Sequence, residues 1–180
     1  MENTIKTERL VIRPIVSGDI DEIHEYMSDK TINMMMFLPR ETISETKEFV
    51  NFAVNEWKKK EPDDREYVIL YNSKIIGGIN LEYWEDRNAC EIGWVIHHDY
   101  RNQGFTTEAA SAVFRFAFED LNLDEITAHC DSRNIASERV MKKLKMKKIS
   151  DDGTRYYPKT GITSGEYLYS ITKSEWIKPV

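Results

Sequence analysis

Two cysteines in 180 residues, Cys90 and Cys130, cannot build a disulfide framework, and neither stands in a C-x-x-C or Cys/His spacing that would hold zinc. No stretch approaches the roughly 18 consecutive apolar residues of a membrane span. The opening MENTIKTERLVIRP is charged where a signal peptide needs an apolar core. Buried thiols, a cytoplasmic location and no membrane partner are therefore the expectations. The eight glycines and five prolines are scattered, so no linker divides the chain, and the Walker and Rossmann glycine motifs are both missing. Positive charge is short as well: 25 Lys+Arg against 31 Asp+Glu leave a net charge of −6. Such a balance repels phosphate backbones and argues against nucleic acid as a partner and against an RNA-binding domain, while favouring cationic partners.

What is present is 41% apolar and 31% charged residues, the mixture of a globular chain, and its length fits one domain, residues 1–180, burying about 70% of its unfolded surface. Apolar alternation predicts a strand over Arg9–Pro14, and Ser17 or Asp19 caps a helix running to about Asp29. Met34 to Leu38 form an apolar loop. Thr42 and Glu45 then make a capping box for a helix whose Phe49, Ala53 and Trp57 share a face. REYVILY, KIIGGINLEYW and ACEIGWVIHH, separated by short polar turns, read as an antiparallel meander. A helix follows from Gly104 to Leu121, then the strand DEITAHCD and a helix from Asn134 to about Leu144. The tail offers strands around Met146–Ile149 or Thr154–Tyr157, and Glu166–Ile171. The class is α/β with a mixed sheet.

The chemistry concentrates in EIGWVIHHDY-RNQGFT-TEAA, where an apolar strand enters a polar glycine turn that opens straight into a helix. The first amides of a helix lack internal partners and carry the positive end of its dipole, so Arg101-Asn102-Gln103-Gly104 is built to take a phosphate group. At this point the sequence resembles the GNAT superfamily of N-acetyltransferases. Arg101-x-x-Gly104-x-Thr106, followed by Thr107-Glu108-Ala109, is similar to its acetyl-CoA loop. Asn134-x-x-Ser137-x-Arg139-Val140-Met141-x-Lys143-Leu144 is similar to a second motif of the subgroup that acetylates ribosomal-protein N-termini, and TERLVIRP resembles that subgroup's opening strand. Three positions depart: Thr106 replaces Gly or Ala, Lys145-Met146 replaces Gly-Phe, and Met141 stands where many members have a proton-donating Tyr.

The resemblance implies a mostly antiparallel central sheet flanked by helices, with a splayed strand pair holding acetyl-CoA. It places Val95, Ile96 and His97 beside the pantetheine arm, with a main-chain N–H near Ile96 on the thioester oxygen. Arg101, Asn102, Gln103, Gly104, Phe105, Thr106 and Thr107 fall at the pyrophosphate, and Asn134 and Ser137 near the pantetheine and sulfur. Register places His129 where related enzymes carry a catalytic carboxylate, so His129 is the candidate base, a neutral imidazole being able to take a proton near neutrality. Glu91 and Glu82 are the alternatives. Ser137 either protonates the departing thiolate or merely hydrogen-bonds in the first helical turn. His97 and His98 suggest no metal, because adjacent strand residues face opposite sides and no third ligand is spaced to join them. The expected activity is direct acetyl transfer to a primary amine, either a protein N-terminus or a small amine, and the competing reading is a silent acyl-CoA-binding module. Loops at Met34–Arg40 and Asp151–Gly165 are the expected acceptor walls, and the methionines of the first also offer a homodimer contact.

Overall fold

A computed structural model describes residues 3–29, 39–84 and 88–176. Eight strands form one sheet: β1 (Ile5–Lys6), β2 (Leu10–Pro14), β3 (Asp64–Tyr71), β4 (Lys74–Trp84), β5 (Ala89–Ile96), β6 (Glu125–Asp131), β7 (Lys147–Tyr157) and β8 (Ile162–Thr172). Their spatial order is β1-β2-β3-β4-β5-β6-β8-β7. Every neighbouring pair is antiparallel except β5–β6. That parallel pair is joined only where Ala89–Glu91 meet Glu125–Thr127, after which β5 runs on to Ile96 along β4 and β6 to Asp131 along β8, no longer paired with each other. The sheet is thus mixed, mostly antiparallel and split at its middle, as the resemblance implied.

Among the described residues four α-helices cover the two faces: α1 (Ile20–Met27), α2 (Ile43–Glu56), α3 (Phe105–Arg115) and α4 (Ile135–Lys143). Phe105, Ala109, Ala110, Val113 and Phe114 of α3 and Met141 of α4 pack on Leu10, Ile12, Ile69, Ile92, Ile126 and Ala128, making the larger core. On the other face Ile23, Tyr26 and Met27 of α1 and Val50 and Ala53 of α2 cover Val68, Ile75 and Val95. Alternation along each strand decides which chemistry meets which face. In β3 to β5 the residues 64, 66 and 68, then 82, 80 and 78, then 91, 93 and 95 lie abreast on the α1/α2 side.

Several boundaries differ from the sequence expectations. A two-residue strand, β1, precedes the first expected one. The third long helix stops at Arg115 and finishes in a wide turn, Phe116–Asp120, with Leu121 N–H bonded back to Phe116 O at 3.0 Å. The two alternative tail strands are one strand, β7, because register shifts around Ser150 and Gly153 absorb the Asp151-Asp152-Gly153 interruption that reads as a turn. Residues 151–165 are consequently most of a hairpin rather than a loop. Met34–Leu38 and the Glu85–Asp86 turn lie outside the described residues. The capping box holds: Glu45 N–H donates to Thr42 Oγ1 at 3.2 Å and Thr42 N–H to Glu45 Oε2 at 2.9 Å.

Candidate active site

Where β5 and β6 part, a cleft of about 390 Å³ opens on the α3/α4 side. Trp94, Val95 and Ile96 line one wall; Arg101, Asn102, Gly104, Phe105, Thr106 and Thr107 line its end; Asn134, Ser137, Arg139 and Lys143 line the α4 wall. Its end is made by backbone. Asn102 (φ 61°) and Gly104 (φ 84°) both adopt left-handed conformations that turn the chain into α3, and glycine tolerates its value without the strain a Cβ brings. The turn is braced from a distant part of the chain: Arg9 donates to Gln103 O at 3.2 Å, lies 4.4 Å over the Phe105 ring, and pairs with Glu108 at 2.6 Å. Thr7 Oγ1 also donates to Glu108. This is the structural work of the TERL segment.

Free helix-start amides and three cations, Arg101, Arg139 and Lys143, therefore converge in a chain of net charge −6, which suits the phosphates of coenzyme A. Arg139 and Lys143 went unassigned as cofactor contacts in the sequence reading. Helical spacing from Ala136 could have found them, since Arg139, Val140 and Lys143 follow it at three, four and seven positions on one face of α4. Trp94 and Tyr100, also in the lining, carried no such signal.

Asn134 caps α4, its Oδ1 accepting from Ser137 N–H at 3.1 Å. Ser137 Oγ accepts from Trp94 Nε1–H at 3.1 Å. An indole N–H only donates, so that contact occupies an acceptor position of the hydroxyl and leaves its proton free to be given elsewhere. His129 lies on the other side of the sheet, with Nδ1 2.9 Å from Glu91 Oε1. The carboxylate at that distance raises the imidazole pKa above its ordinary 6.5, against burial, which lowers it. His129 does not line the cleft, so base and acid candidates flank the split strands from opposite faces.

Two expected cofactor contacts, His97 and Gln103, are not in the cleft lining. His97 N–H donates to Ile76 O at 2.8 Å, and its ring stacks on His98 with centroids 4.2 Å apart. Gln103 uses its side chain on Asp99 O at 2.9 Å and its own carbonyl on Arg9. Strand geometry ends at Ile96, so the expectation that His97 and His98 face opposite ways fails: a tight turn brings the two rings together and adds Asp99, the ligand atoms of all three lying within 4.8 Å of one another. The His97 Nδ1 in that group already accepts from Asp99 N–H at 3.3 Å, and burial lowers the pKa of His97.

Comparisons with known proteins agree with this arrangement. A family model described as an acetyltransferase (GNAT) domain matches residues 9–147. The uncharacterised N-acetyltransferase YnaD of Bacillus subtilis is 36% identical over 177 residues, 96% of this chain and 98% of that protein. A crystal structure of a GNAT-family acetyltransferase from Bacillus anthracis superposes with a TM-score of 0.80 at 29% identity, covering 96% of this chain and 99% of that one. RimL, a ribosomal L7/L12 α-N-protein acetyltransferase solved in complex with coenzyme A, superposes at 0.84 with 15% identity, covering 94% and 98%, and so shares the fold.

Proposed function

This chain belongs to the GNAT acetyltransferase family and is an N-acetyltransferase, and on that premise we propose that it moves an acetyl group from acetyl-CoA directly onto a primary amine while both are bound. The cleft carries the reading: a split strand pair leads from a helix-start amide turn with three cations to the Trp94–Ser137 pair. When bound, acetyl-CoA supplies the thioester. The turn from Arg101 to Thr107 and the α4 cations hold its phosphates, and the edge of β5 that faces β6 beyond Glu91, which β6 does not pair, offers main-chain hydrogen bonds to the arm and to the thioester oxygen.

Direct transfer follows from the thiols. Cys90 and Cys130 are buried, and burial pushes their pKa values up to about 12 and about 11, so neither is a usable nucleophile near neutrality. His129, held by Glu91, accepts the amine's proton, and Ser137, fixed by Trp94, returns a proton to the departing sulfur. The test is turnover: purified protein, acetyl-CoA and a panel of primary amines, followed by thiol release and mass spectrometry of the amines. Equal release of thiol and acetylated amine is expected. Tight coenzyme A binding without acetylation of any amine would establish the silent binding module instead.

A further inference from the structure

On the α1/α2 side of the sheet, behind the same stretch of β5 that walls the cofactor cleft, lies a second and much smaller cavity of about 20 Å³. Trp94 and Val95 line both spaces, so the two meet at the split strand. Twenty cubic ångströms holds one water-sized group. Three oxygen-bearing side chains, Tyr26, Glu66 and Asn80, stand in its otherwise mainly apolar lining. Glu66 and Asn80 come from the abreast pair of β3 and β4. Asn80 Oδ1 folds over Gly93, where an added Cβ would lie 2.5 Å away. Tyr26 reaches in from α1 with its hydroxyl 3.0 Å from the Cβ position of Gly78. Glycine at 78 and 93 is what lets these oxygens approach the sheet.

The Tyr26 hydroxyl is the informative group. Tyr26 is 2% exposed as a residue, and it lines the small cavity together with Glu66 and Asn80, so its hydroxyl is open to whatever fills that space rather than sealed in apolar packing. The acidic groups around it also lack direct salt bridges. Glu66 is followed along the face by Asp64, Glu82 and Glu91, abreast in successive strands, and Asp64, Glu66 and Glu82 have no salt-bridge partner among the described residues. One Asp64 carboxylate oxygen is buried and unpaired. Arg40 contributes its field but stacks 4.4 Å over Phe49 instead of pairing with Glu66. Burial and the neighbouring Asp64 hold the Glu66 pKa well above the carboxylate range, a cost that a bound cation relieves.

We propose that Glu66, Tyr26 and Asn80 form an ammonium cradle and that the acceptor is an aliphatic amine carrying a second, non-reacting ammonium nitrogen. The chemistry fits an –NH3+ group, which has three donors and no acceptor, against three acceptors and a volume of one small group. The held nitrogen cannot be the reacting one, because attack needs a free lone pair and the cradle stabilises the protonated form. Two strand spacings separate β3 from β5, roughly 10 Å, so a flexible chain between two nitrogens bridges the cradle and the split strands. This inference rests on the acetyltransferase reading of the same site and adds the charge of its substrate.

The experiment compares butylamine, putrescine and spermidine as acceptors, each at equal concentration of neutral amine. A preference in kcat/KM of about 10-fold or more for the di- and triamine is expected, carried by KM and weakened by added salt. Tyr26→Phe and Glu66→Gln should each raise KM for putrescine, Glu66→Gln by at least 10-fold, while calorimetric affinity for coenzyme A reports that the variants are folded. Equal use of butylamine and putrescine, or a putrescine KM unmoved by Glu66→Gln, overturns the cradle. A separate arm titrates putrescine into the wild-type protein by calorimetry. Binding that Glu66→Gln abolishes supports the cradle even if no amine is acetylated, whereas acetylation of amines without such binding rejects it and leaves the acetyltransferase reading standing.

Discussion

His129 and Glu91 form the pair on which the proposed proton transfer turns. Glu91 raises the pKa of His129, and only the neutral imidazole accepts a proton, so the acid limb of kcat/KM should bend above pH 6.5. Glu91→Gln removes the raising charge and should move that bend to lower pH; an unmoved limb in the variant separates His129 from the titration. His129→Gln keeps size and polarity without basicity and should cost about 10²-fold or more in kcat/KM, with coenzyme A affinity preserved. Trp94→Phe tests the acid in a similar way. It deletes the indole donor at Ser137 Oγ, so kcat should fall together with that of Ser137→Ala, and the double variant should be no worse than the poorer single one.

At the scale of elements, two turns carry strain or its relief. Gly104 has φ 84° and open space on its Cβ side apart from Arg9 at 3.5 Å. Gly104→Val therefore strains the backbone and intrudes where the α3 amides are offered, so coenzyme A affinity should drop 10-fold or more by calorimetry, with a lower Tm. The opposite holds at the end of α4. Lys145 adopts φ 62°, while Met146 N–H closes on Met141 O at 3.1 Å, the C-terminal turn that glycine normally serves. The departure from Gly-Phe seen in the sequence is thus a side chain held in a left-handed position. Lys145→Gly should stabilise the fold by about 1 kcal/mol in denaturant unfolding.

Across the whole molecule, the half of the sheet beyond the split is pinned by one buried carboxylate. Asp131, 1% exposed, accepts from Arg133 at 2.7 Å, Tyr157 at 2.9 Å and Ser164 at 2.9 Å, joining β6, β7 and β8. Burial alone would raise its pKa, but these donors hold it far below the carboxylate range. Asp131→Asn should cost about 2–3 kcal/mol, the loss of charge-assisted hydrogen bonds at a buried site. Glu138, bonded first by Tyr169 and then by Lys142, is lowered to about 2. Groups with depressed folded pKa values stabilise above their unfolded values and lose that contribution as pH falls through the folded ones. Stability should thus decline below about pH 4.5, with Tyr169→Phe flattening the decline.

Local chemistry made much of this legible in sequence. Thr42 with Glu45, Asn134 ahead of Ser137, and the glycine turn before α3 are decided by residues a few positions apart, so caps, turn and motif order could be read directly. The strand meander followed from three β-rich runs joined by short polar turns. What sequence could not supply were groups joined by the sheet or by helix packing: Arg9 braced against Gln103, Trp94 against Ser137, His129 against Glu91, and Tyr26 over Gly78 beside Glu66. Each links positions tens of residues apart, and alternation says only that a side chain faces one side of a strand. Strand order and register decide which neighbour it meets there. The same register merged two tail strands into β7, and the end of β5 at Ile96 stacked two histidines that strand geometry alone would have kept apart.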